Sequence, residues 1–137
     1  MSSRALIENI VETHQYPLLT EENYDDFVKQ QPYTMVVFAG DPKRYPEALD
    51  VIVVTPELEK AFPEKFTVAV VAEEAEQALA KKYGITLWPA LVFLKEGRYL
   101  DKIARIQDWH VYGEEIPKIL AKEPTFAPSI GIGIEVK

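Results

Sequence analysis

The stretch "KYGITLWPALVFLKEG", residues 82 to 97, decides the fold. It begins where a helix must end. The preceding "EEAEQALAKKYG" (73–84) puts its acids first and its lysines last, in accord with the helix dipole, and Gly84 is a fitting C-terminal stop. Ala90 to Leu94 then form an apolar strand, Glu96-Gly97 a tight turn, and Arg98 to Ala104 the return strand of a hairpin. Pro89 stands at the entrance to the buried strand. A proline there must avoid the hydrogen-bond ladder, and a cis bond at a turn does so, which makes Trp88-Pro89 a candidate cis peptide.

Working outward, "TMVVFA" (34–39) and "KFTVAVVA" (65–72) are continuous apolar runs of the kind buried on both faces of a sheet. "ALIENIVETH" (5–14) has helical spacing and ends before Pro17, and "PLLT" (17–20) is short enough for an edge strand. "TEENYDDFVKQQ" (20–31) reads as a helix capped by Thr20, with Tyr24, Phe27 and Val28 on one face and Pro32 as its stop. In "EALDVIVVTPELEKAF" (47–62) a helix is expected from about Thr55, with Pro56 at its start. The conformation of 48–54 is open, because its β-branched residues favour a strand. Asp108 is placed to cap a last helix, "DWHVYGEEIPKILAKE", with Trp109, Tyr112, Ile116, Ile119 and Leu120 inward and a kink or late start at Pro117.

The order is α, then β-α-β-α-β-α-β-β-α. Strands separated by helices and followed by an antiparallel hairpin predict an α/β fold: a mixed central β-sheet flanked by helices on both faces. The expected division is one domain over 1–122, including the extra N-terminal helix, and a tail over 123–137. In the tail, "SIGIGIEV" (129–136) either adds a strand to an edge or has no fixed structure.

Composition narrows the chemistry. The 137 residues carry 22 acids against 15 bases, a net charge of -7, which argues against nucleic acid as partner and suits a basic peptide or protein. Most of the acids are read as solubilising. There is no cysteine, so disulfide and thiolate chemistry are excluded. His14 and His110 have no His or carboxylate at clear ligand spacing, so neither a metal site nor a catalytic triad is expected. No apolar run approaches the roughly 18–20 residues of a membrane span. The N-terminal "MSSRALIENIVETHQYP" lacks the pattern of a secretory leader, and a cytoplasmic protein is expected. No cofactor is called for.

The "YGI", proline, apolar strand and "K-x-G" of residues 83–97 resemble the thioredoxin signature, and the element order matches over about Tyr16 to Lys122. In that family the proline equivalent to Pro89 follows a cis bond. Thioredoxins place Cys-x-x-Cys after the first central strand. This chain has "GDPKRYP" there, so the family's reaction has no thiolate to run on. A closer resemblance lies in "DPKRYPE" combined with the cysteine-free frame: it is similar to the thioredoxin-like hydrogenase expression/formation proteins of the HupG/HyaE/HoxO type. Asp41, Pro42, Lys43, Arg44, Pro46 and Glu47 match one motif of that group. Trp88, Pro89, Ala90, Val92 and Phe93 match a second, with Leu91 between. The resemblance implies an accessory protein for maturation of an uptake nickel–iron hydrogenase. It also implies binding of the small-subunit precursor with its twin-arginine export signal.

The residues offer a site for such a role. In the thioredoxin fold the residue before the cis-proline, here Trp88, exposes its backbone to an extended peptide, which pairs with it as an added strand. The indole of Trp88 either forms the rim of that groove or packs into the core. Asp41, Glu47, Asp50, Glu73 and Glu74 lie near strand ends and are candidates to meet client arginines, against the simpler reading of a solvated acidic face. Asp41 and Pro42 should start a single turn that Pro46 closes. Lys43 and Arg44 then stand at a positive helix end, against local electrostatics. They either grip an acidic partner or pair with Glu47 or Asp50. Three functions follow: a non-redox hydrogenase assembly chaperone, a thioredoxin-fold scaffold for another client, or an enzyme of non-thiol chemistry. The last has no visible acid–base or nucleophile cluster behind it.

Overall fold

The computed structural model describes residues 3–128. Helix α1 (Ser3–Thr13) leads to strand β1 (Leu18–Leu19), helix α2 (Tyr24–Lys29) and strand β2 (Tyr33–Phe38). Helix α3 (Glu47–Ala61), strand β3 (Thr67–Val71), a single 3-10 turn (Glu73–Ala75) and helix α4 (Glu76–Lys82) follow. The hairpin β4 (Ala90–Lys95) and β5 (Arg98–Ala104) and helix α5 (Trp109–Leu120) complete the order. The sheet runs β1-β3-β2-β4-β5, with β3 parallel to β1 and β2 and with β4 antiparallel to β2 and β5.

The mixed sheet and its two helical layers are those of a thioredoxin-like fold. The apolar strands supply both layers because successive side chains point to opposite faces. On β2, Met35 and Val37 join one core with Ile7 of α1, Val51 and Ile52 of α3, and Tyr112 and Ile116 of α5. Val36 and Phe38 join the other core with Tyr24 and Val28 of α2 and Leu79 and Ala80 of α4. The hairpin turns through Glu96 (φ 52°) and Gly97 (φ 81°), both left-handed, as a tight two-residue connection requires.

Helix α3 departs from the expectation. It spans Glu47–Ala61 without a break, starting eight residues before Thr55 and carrying Pro56 inside it. Val51, Ile52, Thr55 and Leu58 are all buried and recur at helical spacing. Burying a Val or Ile is worth about 1.5–3 kcal/mol. That exceeds the helix-propensity penalty of a β-branched residue, at most roughly 0.7 kcal/mol. Pro56 has no N–H for the Ile52 carbonyl, and that loss is set against the burial of this face; one residue earlier the Thr55 hydroxyl donates to the Val51 carbonyl at 2.7 Å.

Smaller differences have local causes. Helix α2 begins at Tyr24, yet Thr20 caps the preceding turn: its hydroxyl accepts the Asn23 N–H (3.2 Å), and the Asn23 side chain accepts the Thr20 N–H (2.8 Å). Asp108 occupies the N-cap position of α5 but makes no side-chain capping bond. Helix α5 is unbroken through Pro117, and its buried stripe is Tyr112, Ile116 and Ile119. Trp109, expected inward, is in register with that stripe but stands at the helix start, where it borders an open groove against α3 and is 52% exposed. After α5, the Thr125 N–H donates to the Tyr99 carbonyl at 2.9 Å, and Ala127 packs on the second core. The "SIGIGIEV" segment lies outside the described residues.

Candidate partner-binding groove

Register assembles the groove. Phe38 pairs with Ala90, and Ala90 pairs with Ala104, so the segments that follow β2, precede β4 and follow β5 meet at one end of the sheet. The first of these is the "GDPKRYP" loop. The Asp41 carbonyl accepts the N–H groups of Arg44 (3.0 Å) and Tyr45 (2.8 Å), and the Asp41 carboxylate accepts the Lys43 N–H (3.0 Å). This is one turn, closed by Pro46, after which α3 begins.

The second segment carries the cis peptide Trp88-Pro89. The indole of Trp88 is half-buried and stacks on Tyr45, with centroids 5.6 Å apart and planes 24° apart. Its N–H donates to Glu76 Oε1 at 3.0 Å, and Glu76 Oε2 accepts the Gly40 N–H at 3.1 Å. Burial pushes the Glu76 carboxyl above its ordinary value, outweighing the two donors that favour its charged form. The backbone N–H and C=O of Trp88 make no hydrogen bond among the described residues. They are the main-chain donor and acceptor an added strand would use.

The third segment closes the far wall. Arg105 adopts a left-handed backbone (φ 64°), and its N–H donates to the Pro89 carbonyl at 2.6 Å. Its guanidinium grips Glu47 with two bonds, Nε to Oε1 at 3.2 Å and an Nη to Oε2 at 2.9 Å. Glu47 Oε1 also accepts the Ile106 N–H at 3.2 Å. The bonds from Arg105 and Ile106 hold the Glu47 carboxyl below its ordinary value. Between these walls lies a cavity of about 350 Å³ lined by Arg44, Tyr45, Glu47, Leu87, Trp88 and Arg105 among others.

The residues singled out in the sequence divide among three surfaces. Arg44, Glu47 and Trp88 line this groove, with the buried Pro89 behind them and Asp41 and Lys43 on the adjoining turn. Arg44 and Lys43 are exposed, and neither makes an ion pair among the described residues. The Arg44 guanidinium lies 5.6 Å from the Tyr45 ring centroid, and Glu47 is taken by Arg105 instead. Asp50 borders a separate groove between α3 and α5. Glu73 and Glu74 border a third cavity beside α1, where Glu73 pairs with Arg4 at 3.5 Å. Sequence reasoning missed Glu76, Tyr45 and Arg105. Glu76 reads as one more acid in the first turn of a helix, and only the register of the strands brings Gly40 and Trp88 to it.

A thioredoxin fold in which a charged turn and a Trp-Pro rim replace the reactive cysteines defines the class: a thioredoxin-like protein with no thiol chemistry. Residues 6–112 match the model of a protein family, Hydrogenase-1 expression protein HyaE. The chain belongs to this HyaE family. It is 46% identical over 127 residues to the hydrogenase expression/formation protein HoxO of Azotobacter vinelandii, covering 93% of this chain and 85% of that one. A crystal structure assigned to a hydrogenase expression/formation protein, hupG, of Rhodopseudomonas palustris CGA009 superposes with a TM-score of 0.55 at 40% identity, over 77% of this chain and 95% of that one. A thioredoxin of Plasmodium falciparum matches in fold alone, with a TM-score of 0.54 at 18% identity, over 74% of this chain and 97% of that one. Hydrogenase expression and formation is therefore the process in which this protein acts.

Proposed function

We propose that this protein is a non-redox accessory chaperone of the cytoplasm. In this reading it binds the small-subunit precursor of an uptake nickel–iron hydrogenase, twin-arginine signal peptide included, and catalyses no reaction. The observation that carries this reading is the free main-chain pair of Trp88, set beside an indole wall where thioredoxins keep their cysteines. An extended client segment adds as a strand to Trp88, and its side chains meet Leu87, Trp88 and Tyr45. Lys43 and Arg44 meet carboxylates of the client beside the groove. Asp41, Asp50, Glu73 and Glu74 are spread over the surface and steer a basic client more than they hold it, since an exposed pair is worth about 0–1 kcal/mol.

The test is co-purification with the small-subunit precursor, with and without its signal peptide. Trp88→Ala and the double reversal Lys43→Glu/Arg44→Glu are expected to weaken capture while circular dichroism stays that of the parent. Capture of neither precursor form by the parent chain would sink the reading. A groove that binds other extended peptides but not the precursor would point to a different client.

A further inference from the structure

A second surface has a different chemistry. Between α3 and α5 runs a groove of about 380 Å³ whose floor is Leu49, Val54 and Ile106 and whose lips are Val53 and Trp109. Val53 is 54% exposed and Trp109 52%, although each lies beside a core to which the rest of its helix contributes. Asp50 and Glu57 stand along the α3 side, and among the described residues no lysine, arginine or histidine lines the groove. Asp50 makes no ion pair among the described residues, and Glu57 meets only Lys60, at 3.6 Å on the exposed helix surface.

This groove has no strand edge, unlike the rim at Trp88. The Ile106 N–H is held by Glu47 (3.2 Å) and the Gln107 N–H by the Tyr112 hydroxyl (3.0 Å), and both walls are helices. An extended segment laid between two helical walls would find no strand ladder to join. A helix brings its own hydrogen bonds and needs only an apolar stripe. The acidic side calls for basic residues flanking that stripe. A second copy docking through the same face would bring one acidic groove edge to another, with no base lining either, in a chain of net charge -7. We propose that the α3–α5 groove is a docking surface for an amphipathic helix of a partner protein, with one apolar face flanked by lysine or arginine. This surface is separate from the Trp88 groove and does not depend on what that groove binds.

The test titrates the isotope-labelled full chain with a helical lysine–leucine peptide and follows backbone amides by NMR. Shifts are expected to centre on residues 49–57 and 106–112. Binding should weaken with salt and fall at least about tenfold in Val53→Glu or Trp109→Ala, the scale of a central interface residue. Because both side chains are half exposed, the variants should keep the parent's spectrum elsewhere. Asp50→Lys/Glu57→Lys should weaken the same peptide and bind a glutamate–leucine helix in its place. Equal binding of the glutamate–leucine helix by the parent chain overturns the proposal. So do shifts centred on 86–88 instead, or a concentration-dependent dimer in sedimentation that Val53→Glu abolishes.

Discussion

The indole N–H of Trp88 donates to the buried carboxylate of Glu76 at 3.0 Å, and the other oxygen of that carboxylate holds the Gly40 N–H at 3.1 Å. One side chain on α4 thus anchors both walls of the groove, the turn after β2 and the rim before β4. Tyr45 stacked on Trp88 joins the walls a second time. The indole is thereby held in one place before any partner arrives, which lowers the ordering cost of binding.

Glu76→Ala should show the anchor directly. It leaves the indole N–H and the Gly40 N–H without their acceptor, at an expected cost of about 1–3 kcal/mol in urea unfolding. In a Trp109→Phe background Trp88 is the only indole, and its emission should shift to the red as the ring loosens. An unchanged midpoint together with unchanged emission would mean that Glu76 does not position Trp88.

The same carboxyl gives a pH dependence of defined sign. Its folded pKa is raised above the ordinary 4.5, chiefly by burial, so the folded protein holds the proton more tightly than the unfolded chain. The stability this contributes is fully present below 4.5 and is lost as the pH rises through the raised folded value. Glu76→Gln has no proton to lose. The parent's stability minus that of the variant should therefore fall as pH rises across this window in urea titrations. A difference that rises instead would show that the two N–H donors outweigh burial.

Glu47 has the opposite sign. Arg105 and the Ile106 N–H hold its folded pKa down, so its stabilising contribution is present above the ordinary carboxylate range and is lost as pH falls through the lowered value. The local reporter is the Ile106 amide, which Glu47 accepts at 3.2 Å. Its hydrogen exchange should speed up in Glu47→Gln relative to the amides of β5. In the parent its protection should drop on acidification, and a variant with unchanged exchange at Ile106 would remove Glu47 from the wall.

The fold was legible in the sequence because local signals agreed. The dipole-matched helix ending at Gly84, the Glu96-Gly97 turn and the apolar runs at 34–39 and 65–72 each named their element. Residues 48–54 did not, because Val51 to Val54 carry strand propensity while the burial that makes them helical depends on the sheet beneath. The groove was half legible. Trp88 and the charged turn are adjacent in motif logic, but Glu76 and Arg105 reach them only through the pairing of β2 with β4 and of β4 with β5. The acids looked alike in sequence and proved unlike in place. Glu47 is held in a bidentate pair, Glu73 borders a cavity by α1, and Asp50 faces the α3–α5 groove.

Gly40, which opens the charged turn, allows the stacking to be tested by itself. Its φ of 84° is left-handed, and a side chain there costs about 1–2 kcal/mol in backbone strain alone. A Cβ at Gly40 would also lie 2.9 Å from Trp88 Cδ1 and 3.0 Å from Tyr45 Cδ2, which requires the stacked pair to move. Gly97 is the matched control. Its φ of 81° carries the same kind of backbone strain, and an added Cβ would meet Lys29 at 3.2 Å (Cγ) and 3.3 Å (Cα), a tight contact but looser than at Gly40 and away from Trp88 and Tyr45. Gly40→Ala should therefore destabilise the protein more than Gly97→Ala, by a margin that reports the clash. Only Gly40→Ala should change Trp88 emission and reduce capture of a groove-bound peptide. Equal losses in the two variants, with emission unchanged in both, would mean that Trp88 and Tyr45 yield freely and form no fixed wall.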